Sequence, residues 1–364
     1  MRCRVFLLLA IGMGASVHQM PGQTARPPMT HGGAPAGWLE FSANLNPTGT
    51  PAAIVAAVAA ATYDSYASLD PAAAESHLAL DAGVPVESVL LTAGATEAIR
   101  LVASAFVARG RAVIVGPTYS DYEWFARQAG ADIVEARAEP PTFDPPIDRV
   151  IEDRSADRSV LFICDPNNPT GRALGLDRLR HLLATLPRGV TLILDQSFAS
   201  FASPTLSASE CIASGTVVLV RSLTKVLAVP GLRLGYVIAE PRIIAELRVR
   251  QDPWAVAAQA IAAAKVASWA LPADVQATIV GWRERFATGL AEHGLCPLPS
   301  ETNFLLVHAG ATAATIVAAL AERRIAVRSC ASFGLPEHIR LAVRPPAEQD
   351  ALLGALAAIR GDAR

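Results

Sequence analysis

The chain has almost no unbalanced charge. Its 31 lysines and arginines face 33 aspartates and glutamates, a formal net charge of −2, and no run of like charges occurs. That removes the electrostatic footprint expected of a nucleic-acid binder or of a protein lying on an anionic membrane. Cysteine is equally sparse. Cys3, Cys164, Cys211, Cys296 and Cys330 are odd in number and widely spaced, with no Cys-x-x-Cys and no Cys/His cluster at metal-ligand spacing. Neither a disulfide framework nor a metal site is expected, and a reducing compartment fits best. Internal repeats and low-complexity linkers are missing too. What is abundant is apolar: hydrophobic residues reach 52%, much of it alanine, which suits a helix-rich α/β protein. At 364 residues the chain can bury a sizeable core in two domains.

The first 28 residues stand apart. Arg2 and Arg4 precede the apolar run Val5–Ile11 and small residues to Ala15-Ser16, which imitates a secretory signal but is short for a membrane span. Met29 directly precedes Thr30-His31-Gly32-Gly33, where the enzyme-like pattern begins. The expectation is that residues 1–28 reflect an upstream start, that Met29 is the beginning, and that the protein is cytoplasmic. Residues 29–50 then read as an N-terminal arm, 51–270 as a large domain and 271–364 as a small C-terminal domain.

From Ala52 to Ile238 apolar β-branched runs alternate with alanine-rich amphipathic segments. Strands are predicted at Val89–Thr92, Ala112–Val115, Ile133–Glu135, Val160–Cys164, Thr191–Leu194, Thr216–Val220 and Tyr236–Ile238. Helices are predicted at Thr96–Arg109, Tyr119–Ala129, Leu176–Leu186 and Arg242–Arg250, with a long one over Trp254–Trp269. Continuous apolar strands between helices imply a mostly parallel sheet covered on both faces, with ligands beyond the carboxyl ends of its strands. Beyond Pro272 the pattern becomes α+β: a helix to His293, strands at Asn303–Val307, Ala326–Arg328 and Ile339–Val343, and helices at Thr312–Arg323 and Ala347–Arg360.

The chemistry gathers at those carboxyl ends. Val217–Val220 leads into Arg221-Ser222-Leu223-Thr224-Lys225, which delivers an amine beside two hydroxyls, and Arg233 follows in Gly231-Leu232-Arg233-Leu234-Gly235. A lone lysine after a strand is normally a solvated charge. Here three further segments accompany it. Asp195 closes the apolar run Leu192–Leu194; isolated, it would pass as a turn or cap residue. Asp165-Pro166-Asn167-Asn168-Pro169-Thr170-Gly171 forms a polar turn. Gly94, Ala95 and Thr96 make a small-residue turn into a helix, whose first amides and dipole favour an anion.

Together these meet the needs of pyridoxal phosphate. Lys225 would form the Schiff base and Asp195 would hold the proton on the pyridine nitrogen. Asn168 would donate to the phenolic oxygen, and Tyr119 would stack on the ring. Gly94, Ala95, Thr96, Ser222, Thr224 and Arg233 would hold the phosphate. Arg328 and Arg340 lie at or inside apolar strands, where a guanidinium needs an anionic partner, and the pair suits a substrate bearing carboxylate and phosphate.

From about His31 to Ile359 the sequence resembles the fold-type I pyridoxal phosphate enzymes, an α/β architecture, near the histidinol-phosphate aminotransferase branch. The general match rests on Asp165–Gly171, Asp195, Ser222–Lys225 and Gly231–Gly235. A closer similarity, to the L-threonine-O-3-phosphate decarboxylases of cobalamin synthesis, rests on five stretches. These are His31-Gly32-Gly33, Phe41–Pro47, Arg221–Lys225 with Val229–Tyr236, Asp252-Pro253-Trp254-Ala255-Val256 and Arg328-Ser329-Cys330-Ala331. The resemblance implies decarboxylation to (R)-1-amino-2-propanol O-phosphate. It implies that His31, Gly32, Asn44, Asn168, Arg328 and Arg340 surround a phosphorylated amino acid, with Arg340 on its carboxylate. It also implies a homodimer in which Tyr66, with His31 as a second candidate, crosses to the partner's site.

The chain departs from the family in places. Asp195-Gln196-Ser197-Phe198 stands where Asp-Glu-Ala-Tyr or Asp-Glu-Ala-Phe is usual, and Tyr66-Ala67-Ser68 replaces Tyr-Pro-Asp. Gly94-Ala95-Thr96 is less polar than the usual phosphate turn. The rival expectation is an aminotransferase of the histidinol-phosphate type, which would keep every cofactor residue. A sensing domain fused to a DNA-binding module finds no basic patch here, and a secreted binding protein would need a genuine signal segment.

Overall fold

Continuous apolar runs build one large sheet whose carboxyl edge gathers the polar motifs. The computed structural model describes residues 32–67, 71–108, 110–152, 159–202 and 204–362. The signal-like segment and His31 lie outside the described residues. Strand β1 (Leu39–Glu40) is followed by the strands of the main sheet. These are β2 (Val89–Thr92), β3 (Arg111–Gly116), β4 (Asp132–Arg137), β5 (Ser159–Cys164), β6 (Thr191–Asp195), β7 (Val217–Ser222) and β8 (Gly235–Ile238). Their order is β2-β8-β7-β6-β5-β3-β4. β8 runs antiparallel to both neighbours and every other pairing is parallel.

β5 and β7 are buried along their whole length, because helices cover both faces. Period-two alternation sends Leu161, Leu192, Leu194 and Leu219 into one core and Phe162, Ile193, Val218 and Val220 into the other. The helices Asp121–Gln128 and Leu176–Thr185 fall within the predicted spans.

The C-terminal part carries β9 (Cys296–Pro297), β10 (Phe304–His308), β11 (Ile325–Ala326), β12 (Arg328–Ser329) and β13 (His338–Ala342). Antiparallel pairing gives the order β12-β13-β10-β9, while β11 pairs in parallel with β1. The single strand expected over Ala326–Arg328 is therefore two. Ala326 faces Glu40 and Arg328 faces Arg340, so the chain changes sheets at Val327.

The long helix expected over Trp254–Trp269 shrinks to Ala258–Ala264. Asp252 and Pro253 form a turn in which Ala255 N–H donates to the Asp252 carbonyl at 3.2 Å, and Trp254 takes φ +53°. At the other end the Trp269 N–H donates to the Asp81 carboxylate at 3.0 Å instead of to a helical carbonyl. The helix expected from Thr96 starts at Gly94 and gives way to a π turn over Ala103–Val107. Among the described residues no helix is long and apolar enough to cross a membrane.

One glycine brings the phosphate-turn candidates together. Gly235 opposes Thr92 on one side and Ser222 on the other. A Cβ there would lie 2.9 Å from Ala95 N, the Gly94 carbonyl carbon and Arg221 O, all backbone atoms that cannot rotate away. Gly235→Ala should therefore cost about 1–3 kcal/mol in overpacking, read as a lowered urea midpoint. An unchanged midpoint would show that the helix start has room to move.

Candidate active site

The site begins at the ends of β5, β6 and β7. Asp195 is the last residue of β6 and is 3% exposed. Its Oδ1 accepts from Ser197 N–H at 2.8 Å and its Oδ2 from the Tyr122 hydroxyl at 2.7 Å. Burial pushes its carboxyl above the ordinary range, and the donors Ser197 and Tyr122, then Lys225, pull against that shift.

Lys225 lies in the short helix Leu223–Val226 that follows β7. Its pKa is lowered to about 8, first by burial and then by Arg340 and Arg233, with Asp195 opposing. Beside it the Ser222 and Thr224 hydroxyls are 2.7 Å apart and buried. The Lys225 turn is held by the N-terminal arm. Asn46 N–H donates to the Lys225 carbonyl at 2.9 Å, and Asn46 Nδ2 donates to the Val226 carbonyl at 2.9 Å.

Across the β2–β8 edge the helix Gly94–Val102 begins without a side-chain cap. Gly94 takes φ +79°, and Arg233 Nη2 lies 3.0 Å from where its Cβ would be. Arg233, itself left-handed at φ +51°, thus lies against the first turn of that helix. First-turn amides, a guanidinium and two nearby hydroxyls form a donor set for a phosphate.

The Asn-Pro turn is fixed from both sides. Asn167 Nδ2 donates to the Pro117 carbonyl at 2.9 Å and Thr118 Oγ1 donates to Asn167 Oδ1 at 2.7 Å. This ties the turn to the loop carrying Tyr119, which is half-buried and donates to Asp121 Oδ2 at 2.7 Å. Asn168 Oδ1 accepts from Arg340 Nη1, leaving Nδ2 as its donor.

Arg340 and Arg328 stand directly opposite each other in β12–β13 and are 6% and 7% exposed. Arg340 Nη2 donates to the Ser42 carbonyl at 2.8 Å, and its Nε has no partner. Arg328 donates to Ser332 Oγ at 2.7 Å and lies over the Phe333 ring. Among the described residues neither guanidinium meets a carboxylate. Asn44 is 4% exposed, yet both its amide oxygen and nitrogen lack partners. Gly32 runs against Ser42, whose carbonyl oxygen leaves no room for a side chain there. Tyr66 is placed differently: it is 83% exposed, with its ring 4.7 Å from that of Trp254.

Two contributors escaped the sequence reading. Tyr122 follows Tyr119 by three residues, one helical step onto the same face, and that spacing was the available signal. Thr118 carried no signal beyond its place in Pro117-Thr118-Tyr119.

The family described as class I and II aminotransferases matches residues 36–356. The chain belongs to that family. It is 31% identical over 331 residues to a histidinol-phosphate aminotransferase of Symbiobacterium thermophilum, covering 89% of this chain and 91% of the relative. It is 33% identical over 340 residues to a threonine-phosphate decarboxylase of Salmonella typhimurium, covering 87% and 90%. Further relatives at 26–31% identity are histidinol-phosphate aminotransferases. The crystal structure of an L-threonine-O-3-phosphate decarboxylase from Porphyromonas gingivalis aligns with TM-score 0.77 and 26% identity, over 88% of this chain and 99% of that one. The family fold is the fold-type I transferase fold and its cofactor is pyridoxal 5'-phosphate. The residues at this site fit that group, with an amine of lowered pKa, a buried carboxylate and a phosphate donor set.

The amine itself can be tested without ligand. A lysine whose folded pKa is about 8, below the ordinary 10.5, binds its proton more weakly than in the unfolded chain. Stability therefore rises with pH across that window, and the full penalty applies below it. The cofactor-free Lys225→Met variant should be more stable than wild type below pH 8, with the gap closing towards pH 10.5. A pH-independent gap would rule out a depressed lysine.

Proposed function

We propose that this chain is a pyridoxal phosphate-dependent decarboxylase of a phosphorylated amino acid, with L-threonine O-3-phosphate as substrate. The observation that carries the reading is the guanidinium pair Arg328–Arg340. Like charges directly opposite in a strand pair repel, and burial strengthens the effect. A substrate with two anions relieves that repulsion, and the unpaired Asn44 amide supplies further polar contact. The 33% identity to the Salmonella decarboxylase supports the same reading. So does Phe198, which is buried against Phe304 at 5.0 Å and offers no hydroxyl to the site.

Bound pyridoxal phosphate supplies the sink for electrons released at the α-carbon. Lys225 anchors it covalently, since an amine of pKa about 8 is substantially neutral at mildly basic pH. Asp195 keeps a proton on the ring nitrogen, Asn168 donates to the phenolic oxygen, and Tyr119 covers the ring. Gly94, Ala95, Thr96, Ser222, Thr224 and Arg233 hold the phosphate. Arg340 takes the substrate carboxylate, while Arg328, Asn44 and Gly32 take its phosphate, with His31 joining them on the strength of the sequence pattern. These anchors decide which bond at the α-carbon is aligned for cleavage. The division at residue 271 then places Arg328 and Arg340 on a small domain and Lys225 on a large one. A homodimer places Tyr66 at the partner's site.

A second reading, transamination, is favoured by the number of histidinol-phosphate aminotransferases among the relatives, and the same arginine pair would seat a dicarboxylate amino donor. The two separate by product. Carbon dioxide should be released from L-threonine O-3-phosphate without a keto-acid acceptor, and turnover that requires 2-oxoglutarate and yields glutamate would replace decarboxylation by transamination. Borohydride treatment of the yellow protein should fix the cofactor to the peptide containing Lys225, and labelling elsewhere would remove the cofactor assignment. Arg328→Ala should weaken the phosphorylated substrate by about 2–5 kcal/mol in binding while changing plain threonine little. Equal losses for both would detach Arg328 from the phosphate.

A further inference from the structure

Tyr122 is fully buried, yet its hydroxyl does not end in the apolar core. It donates to Asp195 Oδ2 at 2.7 Å from the helix Asp121–Gln128, while Ser197 N–H holds Oδ1 at 2.8 Å. The ring is fixed on two sides, stacked on Phe162 at 5.5 Å and edge-on to Tyr119 at 5.8 Å. Cys164 is the cross-strand neighbour of Asp195, and its thiol lies beside the same phenol while donating to the Pro166 carbonyl at 3.3 Å.

We propose that Tyr122 is a positioning residue that orients the Asp195 carboxylate and keeps it ionised for the cofactor's ring nitrogen. The inference rests on the pyridoxal phosphate reading above and adds to it a residue that acts only through Asp195. An ionised carboxylate accepts about four hydrogen bonds, so Tyr122 and Ser197 use two acceptor sites and leave others for the ring nitrogen. Two donors on different oxygens also fix the carboxylate plane, which one donor could not do. The titratable groups facing Asp195 are Tyr122 and Tyr119 from the segment after β3, Cys164 from β5 and Lys225 from the turn after β7. Burial raises the Tyr119, Tyr122 and Cys164 acids, so those three stay protonated and neutral around it. Tyr122 is thus a permanent donor across the working pH range. Without its hydroxyl, Asp195 keeps the burial that favours its neutral form and loses one of the bonds that opposes it.

The test is the pyridoxal phosphate dissociation constant as a function of pH, measured by visible absorbance on wild type, Tyr122→Phe, Asp195→Asn and the double variant. Circular dichroism and melting temperature serve as the check on folding. Tyr122→Phe keeps the ring and its stacking, and should weaken cofactor binding about tenfold, the loss of one hydrogen bond to a charged group. Its affinity should also begin to fall at higher pH than in wild type as the solution is acidified, since a neutral Asp195 no longer pairs with a protonated ring. In the Asp195→Asn background the phenylalanine should change nothing further. A wild-type affinity profile for Tyr122→Phe, or an undiminished effect in the Asp195→Asn background, overturns the proposal and leaves the cofactor reading intact. A wild-type protein that binds no pyridoxal phosphate overturns both. Should Tyr122→Phe alone fold poorly, the comparison of Asp195→Asn with the double variant still decides, because equal affinities support action through Asp195 and unequal ones exclude it.

Discussion

Positive charge that no carboxylate meets at ion-pair distance among the described residues organises this site. Lys225, Arg340 and Arg328 gather there with Arg233 at an exposed position, while the buried carboxylates Asp195, Asp121 and Asp165 bond to other groups. The field is visible in their mutual effects: Arg340 and Arg233 lower Lys225, and Arg328 lowers Arg340. Such a cluster is unfavourable when empty, because the buried Arg340 and Arg328 lose hydration without gaining an ion pair. The anionic ligands of the proposed reaction would complete it. The uncapped start of Gly94–Val102 and the unpartnered Asn44 Nδ2 present donors of the same kind, while Asn44 Oδ1 needs a donor of its own.

The N-terminal arm makes this cluster one mechanical unit. Leu39 and Glu40 pair with β11, and the Ala342 N–H donates to the Phe41 carbonyl at 2.8 Å. Ser42 accepts from Arg340, Asn303 Nδ2 donates to the Leu45 carbonyl at 2.9 Å, and Asn46 closes on the Lys225 turn. A stretch of eight residues therefore connects the sheet of the guanidiniums to the turn of the amine. Movement of the arm would displace both, so the Arg340 guanidinium and the Lys225 turn are coupled through its hydrogen bonds.

Much of this was legible because strand ends announce themselves. An apolar run buried on both faces ends near its first polar residue, which puts Asp195 at the carboxyl end of its strand from sequence alone, whereas β7 carries the buried Arg221 one residue further to Ser222. Pairing across distant strands leaves no such mark. Nothing in Arg328-Ser329 and His338-Ile339-Arg340 states that the two arginines share a register, and a two-residue strand is too short to show periodicity. The helix expected over Trp254–Trp269 failed for a related reason. Its alanines have strong helix propensity, but Pro253, a left-handed Trp254 and the Asp81 carboxylate at Trp269 settle its ends through tertiary contacts.

The departure at Gln196 shows how the wall behind the site avoids adding to the charge problem. Arg221 is 4% exposed, and in place of the family's usual glutamate it meets Gln196 Oε1 at 3.1 Å. The Trp269 ring lies 3.8 Å from its guanidinium and supplies the attraction that a carboxylate would otherwise give. Gln196 in turn donates to Thr205 Oγ1 at 2.9 Å and to the Leu206 carbonyl at 3.1 Å, bonds a carboxylate could not make. Since an amide does not titrate, and burial drives Tyr236 and Cys211 upward, this wall keeps one charge state across the working range. In front of it Lys225, at about 8, changes charge within that range, and it is the amine that the proposed chemistry uses.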